Sequence, residues 1–169
     1  RRFGPQTPDA PESTEPVAAP PPVEERALAH LLLHHPEAVP LVQRYIRPQV
    51  LGDVDCRKVV DYLLSGQDVD GSSLAAWARE QGDRCVQLTA QLAAEEQRLH
   101  GDEEPWQRAA QEIILTIRRR ALERRRRELT QARDQAPEAE RTTLDQQIAE
   151  VVLDLGVLRQ GWEKALPLL

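Results

Sequence analysis

The sequence contains no methionine, one phenylalanine, two tyrosines and three tryptophans in 169 residues. With Phe3, Tyr45, Tyr62, Trp77, Trp106 and Trp162 as the whole aromatic set, a core must come from Leu, Ile, Val and Ala. Cysteine is almost as scarce. Cys56 and Cys85 share no CxxC spacing and stand in no His/Cys ligand pattern, so a reducing cytosol fits better than a disulfide framework. Lysine is limited to Lys58 and Lys164 among 22 Lys+Arg residues, the usage of a GC-rich genome. No stretch approaches the ~18–20 apolar residues of a membrane span. The start lacks the charged, apolar, small-residue order of a signal peptide. We therefore expect a soluble, cytoplasmic protein. Opening on Arg1 without any methionine, the chain reads as a piece of a longer polypeptide. A net charge of −6 argues against nucleic-acid binding by the whole chain while leaving room for a local basic patch. Glycine-rich phosphate loops, nucleophile elbows and histidines with a Ser or Cys partner are all missing, so no catalysis and no cofactor are expected.

What is present is organised in three parts. Residues 1–22 hold prolines at 5, 8, 11, 16, 20, 21 and 22 and almost nothing to bury, the composition of a disordered linker. From Glu24 to about residue 99 the pattern predicts five short helices. The first, 24–35, places Leu28, Leu31, Leu32 and His35 on one face and stops at Pro36. The second, about 37–46, must start late or bend at Pro40. Asp53 can cap a third over 54–64, with Gly66 as its stop. Ser72 or Ser73 opens a fourth around Leu74–Glu80, closed by Gly82, and a fifth runs over about 84–99. The remainder is longer in stride. Pro105 leads a helix to about Arg133, apolar at Ile113–Leu115 and Ile117, then thinning to Leu122 and Leu129. Pro137 opens a return helix to about Ala165 whose Leu144, Ile148, Val151, Leu155, Leu158 and Trp162 step by 4, 3, 4, 3 and 4, an a/d seam. The expected fold is all-α: a compact multi-helix bundle, residues 23–117, followed by a long helix and a projecting antiparallel helical hairpin, residues 118–169. Strand signals are absent.

Arg118–Arg120 and Arg124–Arg127 are the loudest local feature. Seven arginines could grip phosphates, but no aromatic residue interleaves to stack bases. The long helix 104–133 carries nine Arg against four Glu, and the stretch 138–164 six acidic against three basic residues. A face neutralised within the hairpin is thus the main reading, with nucleic acid and an acidic protein as the other two. His30 and His34 share a helix face like half a zinc site, yet no third ligand stands at a matching spacing, since Pro36 breaks the register to Glu37. Helix-end histidines are the plainer account. Asp53 and Asp55 are explained by capping better than by magnesium.

Residues 24–42, EERALAHLLLHHPEAVPLV, resemble the opening of the C-terminal, helicase-binding domain of bacterial DNA primases. In that family a helix with paired leucines ends in a polar-Pro-Glu step before a short apolar helix; here these are Leu28, Leu31–Leu33, His35, Pro36, Glu37, Leu41 and Val42. Trp106–Leu129 is similar to the family's long helix, and a Pro-rich lead precedes the domain in both. The arginine density and the long return helix depart from the family pattern. The resemblance implies a bundle and hairpin whose hairpin binds the hexameric replicative helicase at the bacterial replisome. Because the distal end of the hairpin has the thinnest seam, we expect the helicase contact there, near Arg126, Leu129, Arg133, Leu144, Gln147 and Ile148, with Leu129 and Leu144 as an apolar centre ringed by arginine; the resemblance puts an acidic tail of single-strand-binding protein at Arg26. It implies a parent enzyme that polymerises primers, with this piece non-catalytic. The helicase's own N-terminal domain would read similarly. A self-associating coiled coil through the 144–162 seam and an Arg-rich nucleic-acid module are readings from other classes.

Overall fold

In a computed structural model, which describes residues 19–66, 71–95 and 106–169, local chemistry sets most helix ends. Pro22 precedes α1 (Val23–His34), and Glu24 and Glu25 place acid in its first turn, where the helix dipole favours it. His35 leaves the helical region at φ −129° and ψ 72°, as a residue before proline tends to do. Pro36 opens a 3₁₀ turn (Pro36–Ala38), and Pro40 sits in the first turn of α2 (Val39–Tyr45), where its missing N–H costs nothing. The late start expected at Pro40 is therefore what occurs. Asp53 caps α3 (Val54–Leu64), its carboxylate accepting the Cys56 N–H at 2.8 Å. Gly66 ends that stretch at φ 71°.

Next come α4 (Gly71–Gln81) and α5 (Asp83–Ala94), divided by Gly82 at φ 110°, a left-handed corner that favours glycine. The expected extension of the fifth helix to residue 99, the Pro105 turn and linker residues 1–18 lie outside the described residues. The long helix is α6 (Trp106–Gln135), followed after Ala136–Pro137 by α7 (Glu138–Leu158). Eight α-helices and no strand make up the described residues, so the chain is all-α.

The bundle core gathers Leu28, Val42, Ile46, Val60, Leu92 and Ile114, each at most 2% exposed. It draws on α1, α2, α3, α5 and the start of α6. Tyr62 and Trp77 stack with centroids 4.5 Å apart, tying α4 to α3.

Two expectations need correcting. The return helix does not reach Ala165: Gly161 adopts φ 100°, breaking the seam after Leu158, and a short α8 (Trp162–Ala165) turns back. Trp162 is thus not a sixth rung of the seam. It meets Tyr45 edge-on at 5.1 Å and, with Leu169, packs against the bundle core. Nor do bundle contacts along α6 stop at residue 117, because Arg120 pairs with Glu24 and Arg124 donates to the Val50 carbonyl at 2.7 Å. Of the Pro-rich lead, residues 19–22 are described, and they touch the bundle only at its surface. Arg84 donates to the Ala19 carbonyl at 3.2 Å, and Pro20 and Pro21 line a groove with Asp53 and Leu88.

Candidate protein-interaction surface

The hairpin is built from one narrow contact. Facing α6, α7 turns Leu144, Ile148 and Val151, all half-buried, and Leu155 and Leu158, both 3% exposed. From α6 come Leu115, Leu122 and Leu129, the last two at heptad spacing. The 144–158 seam is occupied within the chain, so it is not free to pair between chains.

Six residues expected at the helicase contact fall together on the distal half of this hairpin, in two kinds. Arg126 and Gln147 are exposed. Arg133 is exposed as well and crosses to α7, its Nε 2.7 Å from Asp145. Leu144 and Ile148 are half-buried, and Leu129 is 4% exposed. The apolar centre expected at Leu129 and Leu144 is therefore turned inward and closes the hairpin. What the tip presents is polar: Arg126, Arg127, Thr130 and Gln131 border a shallow cleft with Asp134 and Gln135.

The arginine run divides the same way. Arg118 donates to the Leu169 carbonyl at 2.6 Å, Arg120 pairs with Glu24, and Arg124 reaches Val50. These three tie α6 to the bundle and the C-terminal segment. Arg125 lies 3.9 Å from Glu128, one turn along the same helix. The phosphate-gripping reading loses the arginines at 118, 120 and 124 to structure, and keeps Arg126 and Arg127 at the surface.

Arg26 lies on the bundle rather than the hairpin, and its guanidinium is bridged to Glu95 at the end of α5. An acidic tail taken up there has to displace that carboxylate.

Glu24 and Glu25 were the residues sequence reasoning passed over. Both carboxylates are buried, 8% and 6% exposed. Glu24 meets Arg120, while Glu25 accepts the N–H groups of Gly52 and Asp53 at 2.6 and 3.0 Å, closing the loop ahead of α3. A Cβ at Gly52 would stand 3.1 Å from the Arg124 guanidinium and 3.3 Å from the Glu25 carboxylate, so a larger residue there would make both side chains give way by a few tenths of an ångström. Two acids directly after a proline stop were a signal of helix polarity, and their burial depended on partners 27 and more residues away.

Other titratable groups have structural causes. Burial pushes the Cys56 thiol up, and neighbouring Glu25, Asp53 and Asp55 add to it; burial also raises Cys85, beside Asp55 at 3.7 Å. The exposed Glu37 carboxyl is held below its ordinary value by its own backbone N–H and then by His35, 3.2 Å away. His34 lies 3.3 Å from the Leu92 carbonyl and its ring centroid 4.3 Å from that of His30. Among the described residues no cluster of three or more His, Cys, Asp or Glu could hold a metal ion, and no helix is long and apolar enough to cross a membrane. No known protein family, curated protein or solved structure matches the chain.

Proposed function

We propose that the chain is a non-catalytic protein-interaction domain that couples primer synthesis to DNA unwinding by binding a replicative helicase, with the distal α6–α7 hairpin as the contact. The support comes from the residues that resemble the helicase-binding domain of bacterial primases, and from one structural observation. Beyond Arg124 the two arms meet along Leu129, Leu144 and Ile148, and their flanks carry Arg126, Arg127 and Gln147 in the open, with Arg133 exposed beside Asp145. A hairpin so thinly packed gains little from itself and offers two helix flanks to a partner's helices, a known mode of helical recognition. With Leu129 inward, the contact is rimmed by arginine and driven by charge, so it should be steered and salt-sensitive. In this reading the parent protein is a primase working in the bacterial cytoplasm at the replication fork. Arg26 belongs to the proposal as a secondary site, where the acidic tail of single-strand-binding protein competes with Glu95.

The test is Arg126→Glu with Arg133→Glu, measured against the N-terminal domain of the same organism's replicative helicase. Helicity should persist, and association should slow roughly tenfold at low salt. Unchanged affinity with unchanged salt dependence would remove the contact from this face.

A further inference from the structure

The second long arm has two seams, and the fold uses one. Opposite the residues that close the hairpin, α7 carries Ala139, Thr142, Gln146, Ala149, Leu153 and Gly156, in steps of 3, 4, 3, 4 and 3. All six are exposed, and none is charged, on a chain in which 30% of residues are Asp, Glu, Lys or Arg. Leu153 is 70% exposed and its neighbour Val152 is 47% exposed. At 1.5 Å per residue the helix presents this stripe, from Ala139 to Gly156, over about 26 Å.

Gly156 adds an independent observation. Glycine inside a helix costs stability relative to alanine, and it is usually tolerated where something must come close. Here a Cβ would meet nothing within 4 Å. Nothing in the chain's own packing calls for the small residue. Close approach by a helix from outside does.

We propose that this outer face of α7 is a self-association surface, on which a second copy of the chain lays its own α7 antiparallel. The charges beside the stripe select that partner. Glu138 flanks it at the first residue of α7, and Arg159 flanks it just past the last, still in helical conformation at φ −74° and ψ −18°. An antiparallel, two-fold arrangement brings each Glu138 to the partner's Arg159, so both ends of the contact gain an opposite pair; a parallel one sets like ends together. In the register that aligns these pairs, Ala139 faces the partner's Gly156, Thr142 the partner's Leu153, and Gln146 the partner's Ala149. Small residues meet small or larger ones in each layer. Among the flanking positions Asp145 then faces the partner's Val152 and Thr143 the partner's Glu150, so no two like charges oppose. This surface is separate from the rim residues of the helicase reading and does not depend on it.

Sedimentation equilibrium of the full chain from micromolar to millimolar concentration tests the idea. The chain should move from monomer toward dimer. Leu153→Glu should hold it monomeric with an unchanged far-ultraviolet circular dichroism spectrum, since that side chain supports nothing in the fold. Glu138→Arg and Arg159→Glu, made singly, should each weaken the dimer roughly fivefold, because each turns two attractions into repulsions. Made together they should restore it. A chain that stays monomeric throughout, a dimer indifferent to Leu153→Glu, or a double reversal no tighter than the single ones overturns the proposal.

Discussion

The bundle and the hairpin are made from the same helical material and held by different physics. In the bundle, side chains from α1, α2, α3, α5 and α6 converge, and Leu28, Val42, Val59, Val60 and Leu92 have no exposed surface to speak of. In the distal hairpin two helices meet along one line, and Leu129 is its one side chain on α6 as well buried. A core closed from many sides loses contacts in all directions when a methylene goes. A seam closed from two sides can fray. Stability therefore belongs mainly to the first region, while exposed and exchangeable surface belongs to the second.

The sharpest way to break that comparison is to cut each region at its centre. Leu92→Ala, in the bundle, should destabilise the whole chain by about 2–5 kcal/mol, read as a shift in the urea midpoint. An equal effect from a seam residue of the tip would mean that the two regions are one cooperative unit. Trp162→Ala asks to which region the C-terminal segment belongs. Because the indole packs on Tyr45 and the bundle core while remaining half-buried, about 2 kcal/mol should be lost, with faster amide exchange in α2 as well as α8. Exchange changes confined to α7 would assign the segment to the hairpin instead.

Both cysteines lie in the bundle, so ionisation of the thiols reports on that region. The folded state keeps the buried Cys56 neutral above the ordinary thiol value of 9.0, whereas the unfolded chain ionises there. Its contribution is intact below pH 9.0 and falls as pH rises beyond it, by up to about 1.4 kcal/mol per pH unit. Chemical denaturation followed over the alkaline range checks the slope; a flat profile would place the thiol in water. The smallest effect is expected at the tip. Arg133→Ala removes an exposed pair with Asp145 and should cost less than about 1 kcal/mol, and less still in high salt.

Much of the fold was legible because its punctuation is local. The limits of α3 follow from Asp53 and Gly66, and the late start of α2 from Pro40, since caps and proline act within a few residues. The end of α7 was misread for the complementary reason. Trp162 continues the heptad arithmetic past Leu158, and periodicity counts residues without asking whether the backbone continues. Gly161, in the left-handed region, was the contrary signal in plain view. The grouping of the six candidate residues was legible, and their orientation less so. The six do share one end of the hairpin, yet spacing alone does not reveal whether a leucine such as Leu129 faces its own partner helix or an absent one. The tethers of Arg118, Arg120 and Arg124 end on a carbonyl or carboxylate far along the chain, and no local pattern announces such a partner.

The paired acids after Pro22 have a mechanical consequence. Within the first turn of α1 Glu24 is bound to α6 and Glu25 to the loop ahead of α3, and a few residues earlier Arg84 holds the Ala19 carbonyl. A pull applied at Ala19 reaches three parts of the fold at once. The load is shared in parallel rather than peeling α1 from its neighbours one contact at a time, so this end of α1 resists being drawn off the bundle.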